Sequence, residues 1–377
     1  MTSGENNGHQ KHAKLKRPNL GHYGRNEIAI MGTPCGNIKQ LAQVLINSLQ
    51  FKEQIAFVDA DHQSTTPEGS GSLVYTDKIS FRRFDYLAQF NPFQIRPHFN
   101  HCELVLVNGN HFKAAAQILV IDPKKPLERK LDRITDVILV VKKEVDVEIP
   151  DYLRPYIIDT PVMAWEDQEA IAGLIEKWLK ERKPKLRGLV LAGGKSVRMK
   201  KDKGGLQYHG ISQRQYVFQQ LQELGIDVVV SCRPEQAAQI EEGLPLLTDT
   251  FYNLGPMGAL LTAFREDPDS AWLAIACDLP FLTVDTIQFL IKNRDTSKIA
   301  TAFQSPYDEF PEPLITIWEP KSYGVLLNFL SQGYSCPRKV LINSDVCLLQ
   351  APDTKDLSNV NHPEEYKEAV ADIRSKI

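Results

Sequence analysis

Apolar residues in this chain gather into short continuous runs separated by polar, glycine-bearing segments. Residues 27–31 (EIAIM), 55–58 (IAFV), 102–107 (CELVLV) and 137–141 (VILVV) have the length and β-branched content of strands covered on both faces, the kind found in parallel sheets. A turn over 32–36 and a helix to about residue 50 follow the first run, and 164–179 reads as an amphipathic helix with an acidic start. Residues 180–187, dense in Lys, Arg and Pro, then interrupt the pattern. Beyond them the alternation restarts, with strands expected at 189–191, 228–231, 272–276, 299–302, 314–318 and 345–349. Helices are expected at 212–224, 235–242, 257–265 and 284–293. Alternating strands and helices predict an α/β protein of two domains, each a mostly parallel sheet with flanking helices. The expected boundaries are a mobile tail at 1–26, a first domain at 27–179, a linker at 180–187 and a second domain at 188–377.

Bulk properties narrow the function classes. A length of 377 residues suits two domains with separate cores, and a formal net charge of −3 argues against nucleic acid as a partner. No apolar stretch approaches the roughly 20 residues of a spanning helix, and the polar, basic start is not a secretory signal, so a cytoplasmic protein with no membrane partner is expected. Six scattered cysteines without a CxxC pair fit free thiols in a reducing compartment.

The most informative stretch is 191–203, LAGGKSVRMKKDK, directly after an apolar run. Gly193 and Gly194 lack a Cβ, so the backbone here can turn sharply and bring N–H groups onto phosphate oxygens. Arg198 offers a planar fork and Lys203 a point charge, both suited to a triphosphate. A basic surface loop is the plainer alternative. Asp278, in Cys277-Asp278-Leu279-Pro280 after the run 272–276, places a carboxylate at the end of a strand, where ligands of open α/β sheets bind. Mg²⁺ takes oxygen ligands and usually only one or two carboxylates, which makes Asp278 the candidate metal ligand; a turn-forming Asp is the alternative. Asp249 and the Gly255-Pro256 turn that opens the helix at 257–265 form a third constellation. Asn359-Val360-Asn361-His362-Pro363-Glu364-Glu365 forms a fourth, with Pro and Glu placed to start a helix.

These segments together resemble the molybdenum cofactor guanylyltransferases. LAGGKSVRMKKDK is similar to their LAGGxSxRMGxDKxxL signature, with Lys200 where the family has glycine. Asp249 with Gly255-Pro256, Asp278-Leu279-Pro280 and Asn359-Val360-Asn361 resemble further family segments, and Glu312-Pro313-Leu314 is similar to a Pro-Leu on the acceptor side. Cys232 stands where the family has Asn before an Arg. The resemblance covers Gly188 onward and implies a Rossmann-like, glycosyltransferase-A-like domain. It also implies transfer of GMP from GTP to the phosphate of molybdopterin with loss of pyrophosphate, using Mg²⁺ on Asp278. Leu191, Ala192, Gly193, Gly194, Lys203, Asp249, Gly255 and Asp278 would then bind nucleotide. Arg198, Lys203 and Asp278 would be catalytic, and Pro313, Asn359 and Asn361 would face the acceptor. Cytidylyl transfer, another phosphorylated acceptor, or a non-catalytic nucleotide- or cofactor-binding protein are the competing readings.

In the first half, Gly32-Thr33-Pro34-Cys35-Gly36-Asn37-Ile38 sits between strand and helix, where a phosphate loop would sit. A working loop needs GxxxxGK[ST]. Here the glycines are one residue too close, and Asn37 and Ile38 replace Lys and Ser/Thr. The remainder loosely resembles the P-loop GTPase-like adaptor of molybdopterin-guanine dinucleotide synthesis, through Val58-Asp59-Ala60-Asp61-His62, residues 103–109, Phe112 and Lys113. That resemblance implies a degenerate P-loop domain that docks molybdoenzymes or cofactor-synthesis proteins.

Overall fold

The computed structural model describes residues 14–61, 73–78, 80–193 and 203–375. It divides into two compact units, one of residues 19–183 and one in which residues 14–18 join residues 184 onward.

The N-terminal unit holds β1 (Glu27–Met31), α1 (Cys35–Ser48), β2 (Ile55–Val58), β3 (Leu73–Asp77), β4 (Arg82–Tyr86) and α2 (Pro92–Ile95). It continues through β5 (Leu104–Asn108), β6 (Ala116–Ile121), β7 (Val137–Lys142), β8 (Val162–Ala164) and α3 (Gln168–Glu181). Six strands pair in the order β2-β5-β1-β6-β7-β8, all parallel, while β3 and β4 form a separate antiparallel hairpin. β1, β5 and β6 are buried along their whole length, as continuous apolar runs in a covered sheet require. The strand β6 has no counterpart among the sequence expectations, because Gln117 interrupts its apolar run. Its amide is fully buried and satisfied: Nε2 donates to the Ala114 carbonyl at 2.8 Å, and Oε1 accepts from the backbone N–H groups of Thr135 and Asp136, both at 2.8 Å.

Residues 19–26, expected within a tail, are ordered, and one carboxylate holds residues 22–24 among them. Glu27, 1% exposed at the start of β1, accepts hydrogen bonds from the backbone N–H of His22 (2.9 Å), Tyr23 (2.7 Å), Gly24 (3.3 Å) and Ala115 (2.8 Å). Tyr23 is buried and meets Phe99 edge-on at 5.4 Å. α3 ends at Glu181 and the next strand starts at Leu186, so residues 182–185 alone separate the regular elements where a linker over 180–187 was expected.

The C-terminal unit runs through β9 (Leu186–Leu191), α4 (Gln213–Glu223), β10 (Asp227–Cys232), β11 (Leu246–Thr248), α5 (Pro256–Glu266), β12 (Ala271–Ala276) and α6 (Val284–Lys292). β13 (Ala300–Gln304), β14 (Pro311–Trp318), α7 (Ser322–Ser331), α8 (Pro337–Ile342), β15 (Val346–Leu349) and α9 (Pro363–Ser375) complete it. Its seven strands are ordered β11-β10-β9-β12-β14-β13-β15, and β14 runs antiparallel to both neighbours. The sequence places β14 at 314–318, but the strand begins at Pro311. Pro311 and Pro313 disguise its first half, which is accommodated where the pairing with β13 shifts register between Ala302 and Gln304. The helix expected at 235–242 is a 3-10 turn, Pro234–Gln239. From β9 the chain crosses to β10 on one side and later returns to β12 on the other, which opens a crevice at the carboxyl ends of these strands. No described helix is long and apolar enough to cross a membrane.

Candidate functional site

The crevice is a cavity of about 460 Å³. Its floor is the end of β9 at Leu191, Ala192 and Gly193, flanked by Ser231 and Arg233 after β10, Asp249 after β11, and Ala276, Cys277 and Asp278 after β12. Tyr252, Asn253, Gly255 and Pro256 form one wall, and Lys203 and Leu314 also line it. Six of the expected nucleotide-side residues (Leu191, Ala192, Gly193, Asp249, Gly255 and Asp278) are thus brought together with Lys203. Gly194 and Arg198 lie outside the described residues, as do Lys200 and His62. Cys232 is fully buried and is not among the described residues lining the cavity.

Two turns fix this wall. Gly255 has φ +56° at the start of α5, a conformation L side chains rarely adopt, and Asn253 has φ +60°. Three residues on, a Cβ at Gly258 would stand 2.3 Å from the Phe251 carbonyl oxygen, so only glycine lets the helix approach that loop.

Asp249 sits deep in the crevice, 7% exposed, and accepts a 2.6 Å hydrogen bond from Ser231 Oγ. Burial pushes its carboxyl up to about 6, against the opposing pull of Ser231 and the Arg233 guanidinium. A Cβ on Gly193 would come within 3.3 Å of Asp249 Oδ2, and Arg233 Nε donates to the Gly193 carbonyl at 2.9 Å. Arg233 and Ser231 therefore hold the glycine turn and the carboxylate in register. In the sequence Arg233 stands out only as the Arg that follows the family's Asn position, and Ser231, at the end of a valine run, carries no motif.

The charged centre joins three distant segments. Lys203, in a short 3-10 turn, donates from Nζ to Asp278 Oδ2 at 3.3 Å and to Asn361 Oδ1 at 2.6 Å. Asp278 follows β12, and its backbone carbonyl accepts the Val360 N–H at 2.9 Å, which ties the loop before α9 to the strand end. Glu365 fixes the same loop by accepting the N–H groups of Asn361 (2.7 Å) and His362 (3.1 Å), and the Asn361 bond chiefly holds its carboxyl below the usual range. Tyr208 packs edge-on against Tyr366 at 4.9 Å; burial, then the charges of Tyr366, Asp278 and Glu365, raise its phenol well above the usual range.

The other oxygen of Asp278, Oδ1, is buried and has no hydrogen-bond partner. An unpaired carboxylate oxygen at a strand end is what a hard cation with oxygen preference fits. Among the described residues no cluster of three or more His, Cys, Asp or Glu side chains could hold an ion without a ligand's help. Pro313 and Asn359 do not line the cavity among the described residues, although Leu314 beside the first does and Asn361 near the second reaches Lys203.

Residues 188–346 match the MobA-like NTP transferase domain family. The molybdenum cofactor biosynthesis bifunctional protein of Synechocystis sp. is 36% identical over 182 residues, 48% of this chain and 52% of that protein. The molybdenum cofactor guanylyltransferase of Vibrio atlanticus is 26% identical over 185 residues, 47% of this chain and 91% of that protein. The chain thus spans about half the length of the first of these relatives. Molybdopterin-guanine dinucleotide biosynthesis protein A of Archaeoglobus fulgidus matches 51% of this chain and 100% of its own at 20% identity, with a TM-score of 0.44, a likeness too loose to carry an argument.

Proposed function

With its residues 188–346 a MobA-like NTP transferase domain, we propose that this chain transfers GMP from GTP to the phosphate of molybdopterin and releases pyrophosphate. The observation that carries the reading is the meeting of Lys203, Asp278 and Asn361 at the carboxyl ends of the central strands, with Asp278 Oδ1 unpaired. The obstacle in such a reaction is the approach of one phosphate to another, both anionic, so positioning and charge neutralisation supply most of the catalysis. A phosphate monoester is already ionised near neutral pH and needs no general base.

Each residue then has a definable task. Gly193, Gly194, the Gly255-Pro256 turn and Asp249 bind and orient the nucleotide. Asn361 and Asp278 aim the Lys203 ammonium, whose remaining N–H can meet a phosphate oxygen. Arg198 joins Lys203 in balancing charge on the departing pyrophosphate. Asp278 would hold Mg²⁺ through Oδ1, and the ion would supply neutralisation of phosphate charge. Asn359 and Pro313 belong to the acceptor side of the same reading.

The N-terminal unit complements this as a docking domain of the P-loop GTPase type that has lost nucleotide chemistry. The Thr33 hydroxyl donates to Asp122 Oδ2 at 2.6 Å and accepts from Asn37 Nδ2 at 2.8 Å, so it is committed to the protein rather than to a phosphate-bound ion. Its partners would be molybdoenzymes or cofactor-synthesis proteins, in the cytoplasm.

Pyrophosphate release with Mg²⁺ and molybdopterin, comparing GTP with CTP and using Asp278→Ala as the control, tests the transferase reading. Release with GTP that the substitution abolishes supports it. Release with CTP alone moves the base specificity, and no release from folded protein overturns it.

A further inference from the structure

A second constellation, unrelated to the transferase crevice, lies in the N-terminal unit at the carboxyl ends of β1 and β5. Cys35 is the first residue of α1, a 14-residue helix with no acidic side chain in its first turn. Its Sγ lies 3.3 Å from His111 Nε2. The buried Asn110 amide donates from Nδ2 to Cys35 Sγ at 3.6 Å and to the Thr33 carbonyl at 2.8 Å. The same amide accepts, through Oδ1, the Lys130 ammonium at 2.8 Å. Lys130 is held below the usual lysine range by burial, and then by the neighbouring charges of Lys125 and Arg133. Cys35 keeps part of its surface exposed.

A thiol beside an imidazole, with an amide orienting the sulfur and a helix N-terminus facing it, is the arrangement that activates a cysteine nucleophile. Lys130, which meets the same Asn110 amide as Cys35, and the charges of Lys125 and Arg133 that act on Lys130 select the reagent, since cations attract anions. We infer that Cys35 is a base-assisted nucleophile for thiol–disulfide exchange with small anionic disulfides. In the step, the Cys35 proton passes to His111 Nε2 while Sγ forms a bond to one sulfur of the reagent. The reagent's S–S bond breaks, and its other sulfur leaves as a thiolate with the bonding pair. Cys35 is oxidised to a mixed disulfide and the departing half is reduced, so the exchange balances without a further oxidant.

The test uses the full-length protein and glutathione disulfide, with modification at each cysteine followed by peptide mass mapping. Cys336 is more exposed than Cys35 and serves as the internal reference. Cys35 is expected to react about tenfold faster than Cys336, since an imidazole beside the sulfur can take the thiol proton during attack; equal or slower reaction overturns the inference. His111→Gln should bring Cys35 down to the Cys336 rate, and an undiminished excess in folded protein overturns the role of the imidazole. Should that variant fail to fold, wild-type protein decides the matter with two reagents. Cys35 must prefer glutathione disulfide over the cationic disulfide cystamine, relative to Cys336, and an absent or reversed preference overturns the proposal.

Discussion

Lys203 Nζ stands 3.3 Å from Asp278 Oδ2, although 75 positions separate them in sequence, and the second oxygen of the carboxylate is left without a partner. The ammonium thus neutralises one side of the carboxylate, while the other oxygen is buried without a partner. Asp278→Asn keeps the shape and removes the charge. It should lower kcat about 100- to 1,000-fold, the usual cost of losing one preorganised electrostatic group. Asn361→Ala leaves the ion pair but frees the lysine, and a loss of roughly tenfold is expected. Pyrophosphate release by variants with unchanged melting curves measures both. An Asp278→Asn enzyme within threefold of wild type would remove the carboxylate from the mechanism.

Asp249 gives the C-terminal unit a specific pH dependence. Its carboxyl ionises at about 6 in the folded protein against an ordinary 3.8. Below about pH 3.8 both folded and unfolded chains carry the proton, and its stabilising contribution is fully present. As pH rises the unfolded chain ionises first, and the contribution is lost through the window up to about pH 6. The gap corresponds to roughly 3 kcal/mol as an upper figure. Asp249→Asn can still accept the Ser231 hydroxyl, so it should unfold at higher denaturant than wild type at pH 8 and match it near pH 4. Equal denaturation midpoints at pH 8 would count against a buried, reluctant carboxylate.

Gly258 carries a steric prediction. A methyl group there meets a backbone oxygen at 2.3 Å, which no side-chain rotation relieves. Gly258→Ala should cost about 1–3 kcal/mol in stability through displacement of the loop against α5. Because that loop carries Tyr252, Asn253 and Gly255 on the cavity wall, KM for nucleotide should rise as well. Thermal melts and nucleotide titrations on the same preparation check the two effects together.

Glu27 predicts how the N-terminal unit opens. Four backbone N–H groups share its carboxylate, and Glu27→Ala would strand several of them in the interior. At about 1–3 kcal/mol for each buried donor left unpaired, the change should exceed 3 kcal/mol and speed hydrogen exchange at residues 22–24. Gly21→Ala should act in the same direction, since its Cβ would fall 2.2 Å from the Glu27 side chain. Unaltered exchange at Tyr23 in Glu27→Ala would show that the segment is pinned by something else.

Much of this was legible in the sequence where a single residue type carries the constraint. Continuous apolar runs marked β1, β5 and β7 because both faces of those strands are covered. Gly193, Lys203 and Asp278 stood out as a glycine and charges close after apolar runs, whereas Asn361, a neutral loop amide, was pointed to only by the family resemblance. The features that escaped depend on partners remote in sequence. β6 hides behind Gln117, whose burial is tolerable only because residues 114, 135 and 136 meet its amide. The pinning of 22–24 depends on Glu27, which by itself reads as a solvated charge at a strand start. Arg233 gains its place from a carbonyl 40 positions away. Pairwise geometry of this kind leaves no local periodicity to read.

The bond from Val360 N–H to the Asp278 carbonyl also ties an early-made part of the domain to a late-made one. β9, β12, Lys203 and Asp278 leave the ribosome well before residues 358–365, so a nascent chain can bring these two strands and the ion pair together while the amide of Asn361 is still missing. The charged centre is therefore completed last, by a segment that contributes no strand to the sheet. A partly made chain would carry Lys203 and Asp278 without the Asn361 amide that meets the lysine in the finished domain.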